Sequence, residues 1–312
     1  MGDLQIVFFG TSVFACRMLK VLHDEKYTIA AVVSQPDKPV GRKKTMEKTP
    51  VHALADEYGI TCLQPERLKD AVDEVLACNP DLIVTCAYGQ IVPQEILEAP
   101  AHGCLNVHPS LLPKYRGGAP MHYAVWNGDE KTGVCLMEMV KKMDAGKVYA
   151  RCELPIGPDE TMAELSARLE DAAAALLKEN LPKYLAGELK GEPQDEEGVV
   201  IARNISREEE KVCFAQEDVH AAYNHVRAMI DWPVSHGVVE GKRIKFLGAR
   251  KELGEAQQEP GVIVGFEKHA MKIACKGGWL LVQKLQMEGK KPMDADSFAN
   301  GIGRTLIGKR FE

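Results

Sequence analysis

The residues best suited to chemistry lie in one stretch, His102-Gly103-Cys104-Leu105-Asn106-Val107-His108-Pro109-Ser110-Leu111-Leu112-Pro113-Lys114-Tyr115-Arg116-Gly117. Its first part reads as a strand over 103–108 that ends in a Pro/Gly-rich loop. Side chains alternate faces along a strand, so Asn106 and His108 project from the same side. An amide and an imidazole side by side can both address one carbonyl oxygen, and the imidazole can also move a proton. Downstream, Lys142-Met143-Asp144-Ala145-Gly146 reads as a turn between strands at 134–140 and 148–153. Asp144 there can orient His108 or relay a proton through water.

Each piece also has a plainer reading. An Asn-x-His fits a hydrogen-bonded strand end, and an Asp-x-Gly fits an ordinary turn. His102, Cys104 and His108 share strand parity, which raises a zinc site. Residues two apart on one strand do not converge like metal ligands, and no clear fourth ligand stands nearby, so no metal is expected. The chain has no G-x-S-x-G elbow, and Cys104 has no evident activating base, so no enzyme nucleophile is expected either.

The elements that must position these residues follow a βα rhythm. Residues 4–9 form an apolar run ending at Gly10, a buried strand. Ser12 can cap a helix with Phe14, Met18, Leu19 and Leu22 on one face. A strand follows at 28–33, a helix at 51–58, and strands at 81–86 and 103–108. The pattern implies a mainly parallel sheet with helices on both faces, and ligands bind at the carboxyl end of such strands. Residues 35–50, punctuated by Pro36, Pro39, Gly41 and Pro50, read as a loop longer than a connection needs. Thr161 and Glu164 make a capping box for a helix reaching about residue 186. Beyond it, 187–198 is polar, with Pro193 and five acids, and reads as an exposed linker. A helix at 216–230 and short β-rich pieces at 235–240, 243–249, 260–265, 270–275 and 279–286 then suggest a small barrel or sandwich. The expected division is 1–187, a linker at 188–204, and 205–312.

Composition narrows the class. The chain has 312 residues, 45% hydrophobic and 27% charged, which excludes wholesale disorder. No apolar run reaches the ~18 residues of a membrane span, and the N-terminus lacks the basic start of a secretory signal. Nine cysteines, an odd number with no C-x-x-C pair, fit reduced thiols in a cytoplasm rather than a disulfide framework. The net charge is −6, with 17 Lys/Arg against 15 Asp/Glu in 206–312, so bulk charge does not indicate a nucleic-acid binder. One basic run stands out: Lys38, Arg42, Lys43, Lys44 and Lys48 against Glu47 alone, a pattern that by itself also fits a solvated loop.

Asn106-x-His108, then Ser110-Leu111-Leu112-Pro113-x-x-Arg116-Gly117, with Asp144 downstream, resembles the folate-dependent formyltransferases. The resemblance implies a Rossmann-like catalytic domain and 10-formyltetrahydrofolate as co-substrate. It implies that Asn106 donates to the formyl oxygen and that His108 and Asp144 handle protons. The attacking amine belongs to the substrate, so no enzyme nucleophile is needed. It further implies a folate pocket lined by Ser110, Leu111, Leu112 and Pro113 and by Tyr88, Gly89, Ile91 and Val92. The loop Ser34–Lys44 looks like the basic tRNA-contacting insertion of the members that formylate initiator methionyl-tRNA. Arg42, Lys43 and Lys44 are then the expected tRNA contacts. Asp231-Trp232-Pro233 and Gly289-Lys290-Lys291-Pro292-Met293 resemble the appended domain of the same members, implying an OB-like β-barrel that binds tRNA. No membrane, metal or obligate protein partner is expected. Cys213 stands where an acidic residue is common in the family, and the acidity of the whole chain means that tRNA affinity must come from local basic surface.

Three other readings fit parts of the pattern. A relative acting on glycinamide ribonucleotide or an amino-sugar nucleotide shares the chemistry, but the β-rich 205–312 piece argues against it. A nicotinamide-dependent dehydrogenase needs G-x-G-x-x-G after the first strand, and Gly10-Thr11-Ser12-Val13 offers one glycine. A single-strand binder needs aromatics in a basic groove, and aromatics are only 6% of the chain.

Overall fold

The computed structural model describes residues 4–40 and 45–312. Arg42, Lys43 and Lys44 lie outside the described residues. The first elements are β1 (Gln5–Gly10), α1 (Val13–Asp24), β2 (Thr28–Val33), β3 (Lys38–Val40), β4 (Thr45–Glu47), α2 (Pro50–Tyr58), β5 (Cys62–Leu63), α3 (Val72–Leu76), β6 (Leu82–Cys86), α4 (Gln94–Glu98), β7 (Cys104–His108), α5 (Pro120–Trp126), β8 (Lys131–Glu138), β9 (Val148–Pro155) and α6 (Met162–Leu185). Seven strands form one sheet in the order β5-β2-β1-β6-β7-β8-β9. The first five strands of that order pair parallel, while β7 and β8 pair antiparallel.

β1 lies inside the sheet between β2 and β6, and Ile6, Val7, Phe8 and Phe9 are wholly buried, as expected of a strand covered on both faces. Ser12 caps α1 by accepting from the Ala15 N–H, and α1 buries Phe14, Met18, Leu19 and Leu22. Both bonds of the capping box form: Thr161 N–H to Glu164 Oε2 at 2.9 Å and Glu164 N–H to Thr161 Oγ1 at 3.3 Å.

Two segments differ from the reading of the sequence. Residues 35–50 are not a plain loop. β3 and β4 pair antiparallel, with Lys38 opposite Glu47 and Val40 opposite Thr45. Each strand has only three residues and β4 is wholly exposed, so hydropathy carries no trace of them. The polar stretch after α6 is not free either. Glu192 bridges Val148, and Ile201 bridges Arg116, through backbone bonds that composition does not reveal.

Contacts divide the chain into two compact units. The first comprises Met1–Pro120, Thr132–Leu154 and Ser166–Arg203. The second comprises Asn204–Glu312 with two earlier segments, Met121–Lys131 and Pro155–Leu165. Within the second unit the earlier segments are tied in by polar and ring contacts. Tyr123 donates to Glu209 Oε1 at 3.1 Å, and Trp126 lies 4.5 Å from the His225 ring. Arg227 Nη1 donates to the Glu160 carbonyl at 2.6 Å.

The second unit contains α7 (Val219–Ala228), β10 (His236–Val239), β11 (Lys242–Leu253), β12 (Ile263–Glu267), β13 (Ala270–Cys275), β14 (Gly278–Met287), β15 (Met293–Asp294) and α8 (Ala295–Asn300). Its strands pair antiparallel in the order β10-β11-β14-β13-β12, with β15 added to β14. The final residues bridge the two edge strands. Lys309 accepts from the Ile263 N–H of β12 at 2.9 Å, and the Glu312 N–H donates to Val238 of β10 at 2.8 Å. The tail thereby pairs with backbone of both edge strands. Phe311 anchors the tail in the core, 5.6 Å from the rings of both Phe214 and Phe246. Among the described residues, no helix is long and apolar enough to cross a membrane.

Phe311 is 2% exposed. Its replacement by alanine removes the tail's anchor, and a buried Phe→Ala change costs roughly 3–5 kcal/mol. Phe311→Ala is expected to lower the denaturant midpoint of the second unit's unfolding by a corresponding amount. An unchanged midpoint would show that Phe311 does not anchor the tail.

Candidate active site

The site is built on β7. The parallel register of β6 and β7 sets Thr85 opposite Asn106. Thr85 is buried, and its hydroxyl donates to Asn106 Oδ1 at 2.9 Å. An amide has one accepting end and one donating end. With Oδ1 committed to Thr85, Nδ2 is the end of half-buried Asn106 left to meet a ligand.

His108, two residues on, is 4% exposed. Its Nε2 lies 2.9 Å from the carbonyl oxygen of Tyr115. A carbonyl only accepts, so Nε2 carries the hydrogen of this bond. Nδ1 is thereby left to exchange a proton, and it faces Asp144 Oδ2 at 3.8 Å. The loop that returns Tyr115 to the strand is held by Ser110, whose hydroxyl donates to the Lys114 carbonyl at 2.7 Å. Tyr115 itself adopts a left-handed φ of 66°.

Asp144 is held from several sides. It sits in the turn between β8 and β9 with a φ of 49°, a conformation costly for a residue with a Cβ. Its Oδ2 accepts from the Gly117 N–H at 2.8 Å. Gly117 allows this because any Cβ there would stand 2.3 Å from the Ala202 carbonyl oxygen. Gln194 Nε2 donates to the carbonyls of Asp144 at 2.8 Å and Gly146 at 2.7 Å. Arg116, 1% exposed, donates from Nε to Gln194 Oε1 at 3.0 Å and from Nη2 to Glu196 Oε1 at 2.9 Å. Lys142 donates to the second oxygen of Glu196. The Arg116 and Lys142 hydrogen bonds bring the Glu196 carboxyl down to about 2, so it stays ionised across the working pH range.

His108 and Asp144 therefore face one another, and Asn106 stands two residues from His108 on the same strand, in the parity the sequence suggests. Cys104 is buried, bonded to the Ile96 and Leu97 carbonyls, and its thiol is pushed up to about 12 by burial, so it offers no thiolate near neutral pH. His102 is exposed. Among the described residues no group of three or more His, Cys, Asp or Glu is arranged to hold a metal ion.

The expected folate-lining residues are placed unevenly. Tyr88 and Val92 are buried in the cluster that contains Phe9, and Leu112 packs with Cys135, Met137 and Val148. Ser110 is buried and spends its hydroxyl on the loop. Leu111 and Pro113 are half-buried, Gly89 is exposed, and Ile91 is 91% exposed. Four of the eight residues, Tyr88, Val92, Ser110 and Leu112, are thus buried. The sequence did not point to Thr85, the Tyr115 carbonyl or Gln194. Thr85 is visible only through strand register, and Gln194 only through the path of residues 192–201.

Comparison with known proteins gives consistent matches. A formyl transferase family model matches residues 4–181, and a formyl transferase C-terminal domain model matches residues 204–303. The methionyl-tRNA formyltransferase of Halalkalibacterium halodurans is 41% identical over 306 residues, covering 97% of this chain and 96% of the relative. That of Geobacillus thermodenitrificans is 43% identical over 304 residues, covering 96% of this chain and 95% of the relative. The crystal structure of HypX from Aquifex aeolicus in complex with tetrahydrofolic acid shares the fold. Its TM-score is 0.68 at 19% identity, over 98% of this chain and 48% of that one.

Thr85→Val keeps the shape and removes the donor. The Asn106 amide then loses the bond that fixes which end faces outward, a loss of about 1–1.5 kcal/mol or roughly tenfold in rate. Turnover is expected to fall by about that factor with the fold intact, as read by steady-state kinetics. Full turnover in the variant would show that Asn106 does not depend on Thr85.

Proposed function

The chain belongs to the formyl transferase family, and from that premise we propose that it moves a formyl group from 10-formyltetrahydrofolate to the α-amino group of initiator methionyl-tRNA. The product is N-formylmethionyl-tRNA for the start of translation. The observation that supports this acceptor above others is the reach of the relationship. Relatives named methionyl-tRNA formyltransferase align over 96–97% of the chain, the antiparallel C-terminal part included. The nine cysteines are free thiols, in keeping with a reducing cytoplasm.

Bound folate supplies the formyl group. The chain's own residues position the reactants and stabilise charge. Asn106 donates from Nδ2 to the formyl oxygen as negative charge develops there. His108 keeps its Nε2–H on Tyr115 and takes the amine's proton at Nδ1. Asp144 then faces the charged ring, and as the bond between the formyl carbon and N10 breaks the ring returns its proton to N10, so that tetrahydrofolate leaves. The exposed apolar side chains of Ile91 and, beside Asp144, Met143 fit the walls needed by a flat pterin ring, with loop backbone as its polar partner. The same reading makes Arg42, Lys43 and Lys44 tRNA contacts. Lys48, at the base of the hairpin, is paired with Asp56.

Asn106→Ala, His108→Ala and Asp144→Ala are each expected to lower kcat by about 10²–10³ while the protein remains folded. The assay is transfer from 10-formyltetrahydrofolate to methionine esterified to tRNA, with free methionine as control. Wild-type turnover in His108→Ala would overturn the catalytic reading, and equal formylation of free methionine would overturn the acceptor. Arg42→Ala is expected to cut kcat/KM for methionyl-tRNA sharply without changing folate affinity, because a guanidinium can grip phosphate or stack on a base. Lys48→Ala serves as the comparison and should have a small effect. Equal, small effects at both positions would mean that the arm contributes only diffuse charge.

A further inference from the structure

The polar stretch that follows α6 passes beside the reacting groups, and one of its side chains has contacts that tertiary packing alone does not require. Gln194 Nε2 donates to two carbonyls of the same turn, Asp144 at 2.8 Å and Gly146 at 2.7 Å. The first carbonyl belongs to the peptide unit that leaves Asp144, and the second lies two residues further along the same turn. The turn needs such a brace. Asp144 holds a left-handed φ of 49°, and Gly146 is pressed so close to β8 that a Cβ there would stand 2.0 Å from the Glu138 carbonyl oxygen. Gln194 is itself oriented. Arg116 Nε donates to its Oε1 at 3.0 Å, which commits the other end of the amide to the turn. Arg116 is buried and anchored by Glu196, which Lys142 of the same turn also engages. The chain Glu196–Arg116–Gln194 therefore ends on the backbone of Asp144.

We propose that Gln194 is a positioning residue for formyl transfer, holding the Asp144 turn so that Oδ2 faces His108 Nδ1. It touches neither substrate. It acts through Asp144, and the inference rests on the proposed catalytic role of that residue. The distance it controls is the 3.8 Å between Oδ2 and Nδ1. Misplacement by about 1 Å can cost on the order of 10²-fold in rate.

The test uses the full chain. Gln194→Glu keeps an acceptor for Arg116 and replaces the donating nitrogen with an oxygen that repels both carbonyls. Gln194→Met keeps the length and removes both functions, so one variant covers a folding failure of the other. The expected result is a kcat lower by about ten- to a hundredfold, with KM for 10-formyltetrahydrofolate and for methionyl-tRNA within about twofold of wild type. In an Asp144→Asn background the Gln194 changes should cost little more, because residues acting as one unit are not additive. Wild-type kcat in a folded Gln194 variant would overturn the inference. A full further loss in the Asp144→Asn background would also overturn it, because that marks a general structural role. Wild-type kcat in Asp144→Asn alone would instead overturn the catalytic role of Asp144, a distinct failure.

Discussion

The hydrogen bond from His108 Nε2 to the Tyr115 carbonyl is the constraint on which the site depends. It decides which ring nitrogen is free to exchange a proton. It also fixes the direction in which that nitrogen points, towards Asp144. The strand alone cannot impose this, because an imidazole can rotate about its Cβ–Cγ bond. The loop from Ser110 to Gly117 imposes it, folding back so that a backbone carbonyl reaches the ring. The left-handed Tyr115, the Ser110–Lys114 bond and the closely packed Gly117 serve that return.

The rest of the candidate site repeats this arrangement, in which a side chain proposed to react is oriented by a neighbour with no proposed chemistry. Thr85 orients the Asn106 amide, and Gly117 and Gln194 hold Asp144. Preorganised groups of this kind need no rearrangement when charge develops, and the proposed transfer needs no enzyme nucleophile because the attacking amine belongs to the substrate. The buried thiols are consistent with that division of labour, since burial pushes Cys104 up to about 12 and Cys135 to about 11.

Much of this was legible in the sequence where periodicity or local chemistry carried it. The apolar run of β1, the Ser12 cap, the Thr161–Glu164 box and the Asn106/His108 parity all describe short-range physics, and the structure contains each. The short antiparallel strands of the second unit were legible for the same reason, with glycine-rich turns between alternating runs. What escaped was carried by backbone pairing and long-range contacts. β3 and β4 have three residues each and β4 is wholly exposed, and α3, α4 and α5, at five to seven residues, are too short for a helical period to show. Gln194 lies 50 residues from the turn it braces, in a stretch whose acids and proline suggested only exposure. Of the residues expected to line a folate pocket, Tyr88, Val92 and Leu112 are buried in apolar clusters while Ile91 is exposed, a difference the sequence does not show because apolar composition does not say which way a side chain points.

The most direct measurement of the central claim is the protonation pattern of the His108 ring by ¹⁵N NMR on histidine-labelled protein, assigned by comparison with a His108→Gln variant. The account predicts that neutral His108 carries its hydrogen on Nε2, donated to the Tyr115 carbonyl, and leaves Nδ1 unprotonated towards Asp144. Neutral His108 found with its hydrogen on Nδ1 would contradict the account, because the nitrogen facing Asp144 could then not accept the amine's proton.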